Sequence, residues 1–400
     1  MNYFVEPQKR IKVIGQYDVA VVGGGIAGVS AALAASRNGA KVILVEKQYM
    51  LGGLATAGLV TMYLPLCDGL GKQVGFGICE ELLLLSIKHG CEENYPKAWI
   101  ECGSFEEKAQ KRYKVQFNAS IFAILVEKLL VSEGVEILYG TTVCSVNVTN
   151  NKIDTLLLEN KSGRTAITIK SVVDSTGDAD ICLYSGEKTA EFVQGNVLAA
   201  WYYCNENNKF KLKTLGFCDI PDKYKKSETQ ALSNIRYKGL EGKELSNMMI
   251  ASHTSIFNDF IKKGDITNEH FLANIAITPQ IRMTRRIDGC YVMDDTKSFQ
   301  YFDDSVGMFS DWRKVGPIYE LPFSTLHGTT VKNLISAGRC ISVTDSMWDI
   351  TRVIPVCAIS GEAAGTAAAM STDFDAIDIK ELQSKLSSQG VKLHINELSK

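Results

Sequence analysis

No two of the eleven cysteines stand at C-x-x-C spacing, and the odd, scattered set fits neither a disulfide framework nor a zinc site. Iron–sulfur ligation needs clustered cysteines and is excluded on the same ground. These thiols read as small core hydrophobes of a reduced, cytoplasmic protein, with no metal site. Strong charge of one sign is also missing. With 43 basic and 45 acidic residues the net charge is −2 and the pI about 6.3, which argues against a nucleic-acid partner. No apolar run reaches the ~20 residues of a membrane span. The opening "MNYFVEPQKRIKVIGQYD" lacks the apolar block of a signal peptide. Internal repeats, low-complexity stretches and long linkers are absent as well.

What is present is ordinary globular composition, 46% apolar and 22% charged, over 400 residues, enough for two domains. Near the start, "AVVGGGIAGVSAA" places glycines at 23, 25 and 28. Before it, "YDVAVV" is a short β-branched run suited to a buried parallel strand. After it comes an alanine-rich helix stopped by Asn38-Gly39, then the strand "KVILVEK" with its acidic Glu46. Gly23 permits the turn, Gly25 lets backbone approach a pyrophosphate, and Gly28 lets the helix pack on the strand with its dipole facing the phosphates. Glu46 stands where a ribose hydroxyl would be bound, which disfavours a 2′-phosphate.

Residues 49–77 are glycine-rich yet studded with apolar side chains, as expected of backbone held against a ligand rather than of a free loop. A helix "ICEELLLLSIKHG" ends at Gly90, and residues 91–117 carry no clear pattern. Asn118 is a candidate N-cap for the next helix. "TVCSVNVTNNKIDTLLLENKSGRTAITIKSVVDST" reads as a β-meander turning at "TNNK" and "NKSG".

From 190 to 325 aromatic residues and lysine rise and the β–α alternation stops, which suggests a second domain inserted into the first. Its lysines 209, 211, 213, 223, 225 and 226 are interleaved with Asp219 and Asp222 and read as a solvated face. After residue 330 the first style returns with the strand "NLISAG", a loop "RCISVTDSMWDI", and a small-residue helix with Pro355 near its start.

Three segments, "DVAVVGGGIAGVSAALAASRNGAKVILVEK", "VVDSTGDAD" and "NLISAGRCISVTDSMWDITRVIPVCAISGEAAGTAAA", together resemble the FAD-dependent oxidoreductase family. These are two-dinucleotide-binding-domain flavoproteins whose FAD domain is related to fumarate reductase and succinate dehydrogenase flavoproteins. The resemblance implies an α/β protein. A Rossmann-like FAD-binding domain with parallel sheet and β-meander would span 1–189 and 326–400, with an inserted α+β substrate or cap domain at 190–325. It also implies residue roles. Gly23, Gly25, Ile26, Ala27 and Gly28 would hold the pyrophosphate, and Glu46 with Lys47 the adenosine ribose. Gly52, Gly53, Leu54 and Ala55 would follow the ribityl side, and Val143 would meet adenine through its backbone. Thr176, Gly177 and Asp178 would close the site beneath the cofactor. Gly338 and Arg339 would approach the ribityl–pyrophosphate, with Val353 and Ile354 facing the isoalloxazine at a helix start that stabilises reduced flavin.

A second strand–G-x-G-x-x-G–helix unit is absent from the sequence, so the flavin is expected to exchange electrons with a small organic substrate and with a diffusing donor or acceptor. Arg282, Arg285 and Arg286 suit an anionic substrate, and strand alternation would put Arg282 and Arg286 on one face. Tyr319 and His327 are candidates for handling the proton, and Cys67, beside Asp68, for touching substrate. The reading is hydride transfer without a separate nicotinamide domain. The alternatives are a flavin monooxygenase, and an FAD-binding tRNA-modifying or non-catalytic electron-transfer protein.

Overall fold

The computed structural model describes residues 3–216 and 231–398. Its centre is a seven-stranded sheet. Five strands follow the order Glu136–Leu138, Val42–Val45, Lys12–Val22, Gly163–Asp174, Lys152–Asn160, and Thr142–Thr149 lies outermost. The first four pair in parallel and the meander pairs antiparallel. Gly163–Asp174 serves two partners along one edge. Its first half pairs with Lys152–Asn160, and Val172–Asp174 pairs in parallel with the late strand Leu334–Ser336. The C-terminal part of the chain thus completes the sheet begun by the N-terminal part.

All four residues of Val42–Val45 are buried, as a strand covered on both faces requires. The covering on one face is two helices made of small residues, Ile26–Arg37 and Ile354–Met370. They cross where a Cβ on Gly361 would meet the carbonyl oxygen of Ala27, and one on Gly365 that of Ala31. Glycine at matching one-turn intervals brings the backbones into contact, which a larger residue would prevent.

Asn118 does cap the helix Ala119–Ser132, its side chain accepting from the Ile121 N–H at 3.0 Å. Two local expectations change. The "loop" after Arg339 contains the helix Asp345–Thr351, whose Thr344 side chain caps Met347 N–H and whose Trp348 is fully buried. A seven-residue helix is too short to show a period, although Thr-Asp is a start signal. Residues 91–117 hold two short helices, the second opened by a Ser104–Glu107 capping box.

Between residues 200 and 275 lies a separate antiparallel sheet, Lys209–Leu215, Ala200–Glu206 and His270–Ile275, packed by the helix Gly242–Ile261 through Tyr202, Ile256 and Phe260. Lys211 and Lys213 both bind Glu206, at 3.3 and 2.8 Å. Lys223, Lys225, Lys226, Asp219 and Asp222 lie outside the described residues. Among the described residues, no single helix is long and apolar enough to cross a membrane.

Candidate cofactor and active site

The site begins with the turn between the first strand and first helix. Gly23 adopts φ +102°, and a Cβ there would strike the Ser175 backbone. Gly28 sits so close to the same turn that a Cβ would overlap the Gly23 carbonyl oxygen. Gly25 differs. It has φ −68°, and nothing stands within 4 Å of where its Cβ would be. The first and third glycines are therefore required by packing, while Gly25 leaves an open berth against backbone at the helix start. That is the shape a pyrophosphate needs.

A second glycine segment closes on the first. Gly25 bridges to Gly52, and the Gly52 N–H donates to the Gly24 carbonyl at 2.8 Å. The Glu46 carboxylate, at the end of its strand, accepts from the Gly24 and Gln48 N–H groups. This fixes one carboxylate at the rim of the berth.

Beneath lies the turn after Asp174. Its buried carboxylate accepts from Thr176 Oγ1 and from the N–H groups of Ile181 and Cys182, so one side chain folds the whole "DSTGDAD" segment. Arg339 reaches across it. The guanidinium lies against Gly177, 3.6 Å from Asp178, and donates to the carbonyls of Ile281 and Arg282 at 3.0 and 3.1 Å. Arg339 thus ties the late glycine turn to the segment that carries Arg282. Thr284 Oγ1 donates to Asp178 at 2.8 Å and strengthens the same joint.

These parts line a cavity of about 410 Å3. Of the cofactor residues expected from sequence, Gly23, Gly25, Ile26, Ala27, Glu46, Lys47, Gly52, Gly53, Leu54 and Ala55 all line it. So do Val143, Thr176, Gly177, Asp178, Gly338, Arg339, Val353 and Ile354, and only Gly28 stands behind the wall. The long helix Ile354–Met370 points its N-terminus at the cavity, with Val353 as an extended N-cap and Pro355 in the first turn. Such an end favours negative charge placed before it.

The expected substrate and catalytic groups divide. Arg282 lines the cavity, 3% exposed, with its guanidinium 5.3 Å from the centre of the Trp201 ring. Arg285 and Arg286 do not line it. The strand starts only at Arg285, so the alternation that would align Arg286 with Arg282 does not exist. Arg285 pairs with Asp180 at 2.7 Å, and Arg286 is buried, donating to the Ile287 carbonyl. Tyr319 is in the core, stacked on Phe309 and donating to the Asp295 carbonyl, with burial pushing its pKa up to about 12. Cys67 is buried, accepting from the Tyr113 N–H, and burial raises its pKa. His327 sits apart beside Cys290 and Asp375, and burial lowers its pKa. Each is held by its own neighbours and kept from the cavity.

Other groups enter that sequence spacing does not single out. Arg352 lines the cavity just before the long helix, bound to the fully buried Asp349 at 2.6 Å and lying 5.9 Å from the Trp312 ring. Asp349 is held in turn by Arg313, which also binds buried Asp311 at 3.0 Å. Arg352 stands inside the segment "TRVIPV", where its nearness to the helix start is a usable signal. Trp201 and Trp312 come from distant segments and have none. Asp180 also lines the cavity. Burial, with Asp178 and Asp174 nearby, pushes its pKa up to about 6 against the pull of Arg285 and Lys47. Cys357, at the first turn of the long helix, is pushed up to about 12 by burial and stays a thiol.

Comparison with known proteins adds a family. The model of the family described as FAD dependent oxidoreductase matches residues 18–197 and 196–386. Thioredoxin reductase from Ureaplasma parvum serovar 3 is 37% identical over 71 residues, 18% of this chain and 23% of that protein. The tRNA uridine 5-carboxymethylaminomethyl modification enzyme MnmG from Heliobacterium modesticaldum is 30% identical over 135 residues, 30% of this chain and 21% of that protein. The chain spans about a fifth of the length of these curated relatives. Among solved structures, p-nitrophenol 4-monooxygenase PnpA from Pseudomonas putida DLL-E4 is 12% identical with a TM-score of 0.47, covering 93% of this chain and 84% of that one.

Proposed function

The chain belongs to the FAD dependent oxidoreductase family, and we propose that it passes a hydride between a small organic anion and its FAD. One observation carries the proposal. The cavity that contains the glycine berth also contains two arginines, Arg282 and Arg352, each set over a tryptophan face. A guanidinium backed by an aromatic ring and largely withdrawn from water is suited to a carboxylate, because it offers parallel donors in a fixed plane.

The residues fit FAD through the open berth at Gly25, the fixed carboxylate of Glu46 and the positive helix end at Val353. When bound, the flavin supplies a ring that takes or gives two electrons. Met62 and Leu64 present apolar side chains to the cavity and limit water there. Arg339 keeps the Arg282 backbone at a set distance from Gly177, so substrate and cofactor subsites are linked through one side chain. Arg352 is aimed by Asp349, itself locked by Arg313. The second half-reaction would use a diffusing donor or acceptor.

The test is an anaerobic screen of metabolites against the purified yellow protein, pairing each carboxylate with its neutral amide. The expected result is that one carboxylate bleaches the flavin while its amide does not. Equal bleaching by the two members of a pair would remove the anionic requirement.

A further inference from the structure

Three chemically different side chains meet away from the cavity. Cys290 Sγ lies 3.6 Å from His327 Nδ1, and an Asp375 carboxylate oxygen lies 3.5 Å from the same nitrogen. All three donor atoms fall within 4.8 Å of one another. They come from three separate segments. Cys290 follows the strand Arg285–Ile287, His327 follows the turn Phe323–Thr325, and Asp375 lies in the turn Phe374–Ala376. Backbone bonds hold the segments in place. The Cys290 N–H donates to the His327 carbonyl at 3.0 Å, and the Phe374 N–H donates to the Lys332 carbonyl at 2.9 Å.

A nucleophilic relay does not fit. It would need the thiol and the carboxylate at opposite ring nitrogens, and here both approach Nδ1, which also lies 3.2 Å from the Gly328 carbonyl oxygen. The Gly328 carbonyl can only accept, so Nδ1 carries its proton here, and a cation that replaces that proton meets the thiol and the carboxylate as ligands. Tetrahedral zinc with ordinary sulfur and nitrogen bond lengths sets S···N at about 3.6 Å and N···O at about 3.4 Å. Both distances are already met. Turning the half-exposed Asp375 carboxylate closes the remaining edge.

We propose that Cys290, His327 and Asp375 form a divalent-metal site suited to zinc, with water in the fourth position. A thiolate and a carboxylate together carry two negative charges, which a divalent ion neutralises. Glu187 and Asp304 add further negative potential around the imidazole. The sulfur–nitrogen–oxygen donor set favours zinc over magnesium or calcium, which prefer oxygen alone. His327 is buried while Cys290 and Asp375 are exposed, so the ion would enter from solvent and seat on a fixed imidazole. On entry the thiol proton passes to solvent, the imidazole proton moves from Nδ1 to Nε2 through solvent, and Sγ–metal and Nδ1–metal bonds replace the S–H and N–H bonds, with no change in oxidation state. The ion would pin residues 290, 327 and 375 together as a structural clasp. The ligands stand 37 and 48 residues apart, so no spacing motif announces them.

The test uses the full-length flavin-loaded protein, stripped with chelator and titrated with zinc against a chromophoric competitor. Cys290→Ser and Asp375→Asn are measured in parallel. One zinc per chain in the parent protein, with affinity lowered about 100-fold or more in each variant and flavin content unchanged, is the expected result. Cobalt substitution should give thiolate-to-metal charge-transfer absorption that Cys290→Ser abolishes. Asp375→Asn changes an exposed turn and keeps the test valid where Cys290→Ser folds poorly. Zinc binding that is absent in the parent, or equal in parent and Asp375→Asn, overturns the proposal.

Discussion

Gly361 lies so close to Ala27 that a Cβ on it would overlap the Ala27 carbonyl oxygen. The neighbour is helix backbone, which cannot swing aside as a side-chain tip can. Gly361→Ala should therefore push the two central helices apart and cost about 3 kcal/mol, the upper part of the range for overpacking. Urea unfolding of the apoprotein measures it. A change under about 0.5 kcal/mol would mean that this crossing is loose.

Gly25 gives the opposite expectation. Its φ of −68° suits alanine and its surroundings are open, so Gly25→Ala should leave apoprotein stability unchanged. The added methyl would occupy the berth instead. FAD affinity should fall at least about tenfold, or 1.4 kcal/mol, as read by flavin fluorescence titration. Loss of apoprotein stability with FAD affinity intact would show that the open space serves packing.

The contrast between these glycines marks how far the sequence could be read. The spacing of Gly23, Gly25 and Gly28 carries local geometry, and strand, turn and helix follow from neighbours within a few residues. The same holds for Glu46 and for the Asn118 cap. Arg285, Arg286, Tyr319 and Cys67 stay outside the cavity for one physical reason. Their directions are set by partners far along the chain, Asp180 for Arg285, the Trp348 ring for Arg286, Asp295 for Tyr319 and Tyr113 for Cys67. Trp201 and Trp312 reach the cavity by tertiary packing alone, and no local pattern marks them.

Glu362, in the middle of the long helix, is buried with its carboxylate accepting from the Ile78 N–H at 2.8 Å. Burial pushes its pKa up to about 8 from 4.5, against the pull of Ile78 N–H and Arg37. Between these pH values the unfolded chain has lost this proton while the folded chain keeps it. The native state binds more protons, so stability falls as pH rises from about 4.5 to about 8. The change is on the order of 4 kcal/mol. Glu362→Gln keeps the acceptor for Ile78 and removes the titration. Its Tm should vary less between pH 5 and pH 8 than that of the parent. Parallel Tm–pH curves would show that Glu362 does not keep its proton.

Arg282→Ala should keep FAD and lower kcat/KM for the anionic substrate by about 100-fold, or roughly 3 kcal/mol, because the guanidinium is buried beside Trp201. Arg282→Lys should recover only part of this, since a point charge cannot reproduce the planar fork. Steady-state kinetics on the substrate found by anaerobic bleaching would decide it. Full activity in Arg282→Ala would remove this side chain from substrate binding.

Residues from the first 60 positions and from 337–357 line one cavity, and a single FAD should fill it. Equilibrium titration of the stripped protein with FAD, read by flavin fluorescence, decides whether it does. Saturation at one FAD per chain with micromolar or tighter affinity is expected, with affinity at least about tenfold weaker in Gly25→Ala. A folded chain that takes up no FAD, or binds it equally well with Gly25→Ala, would contradict it.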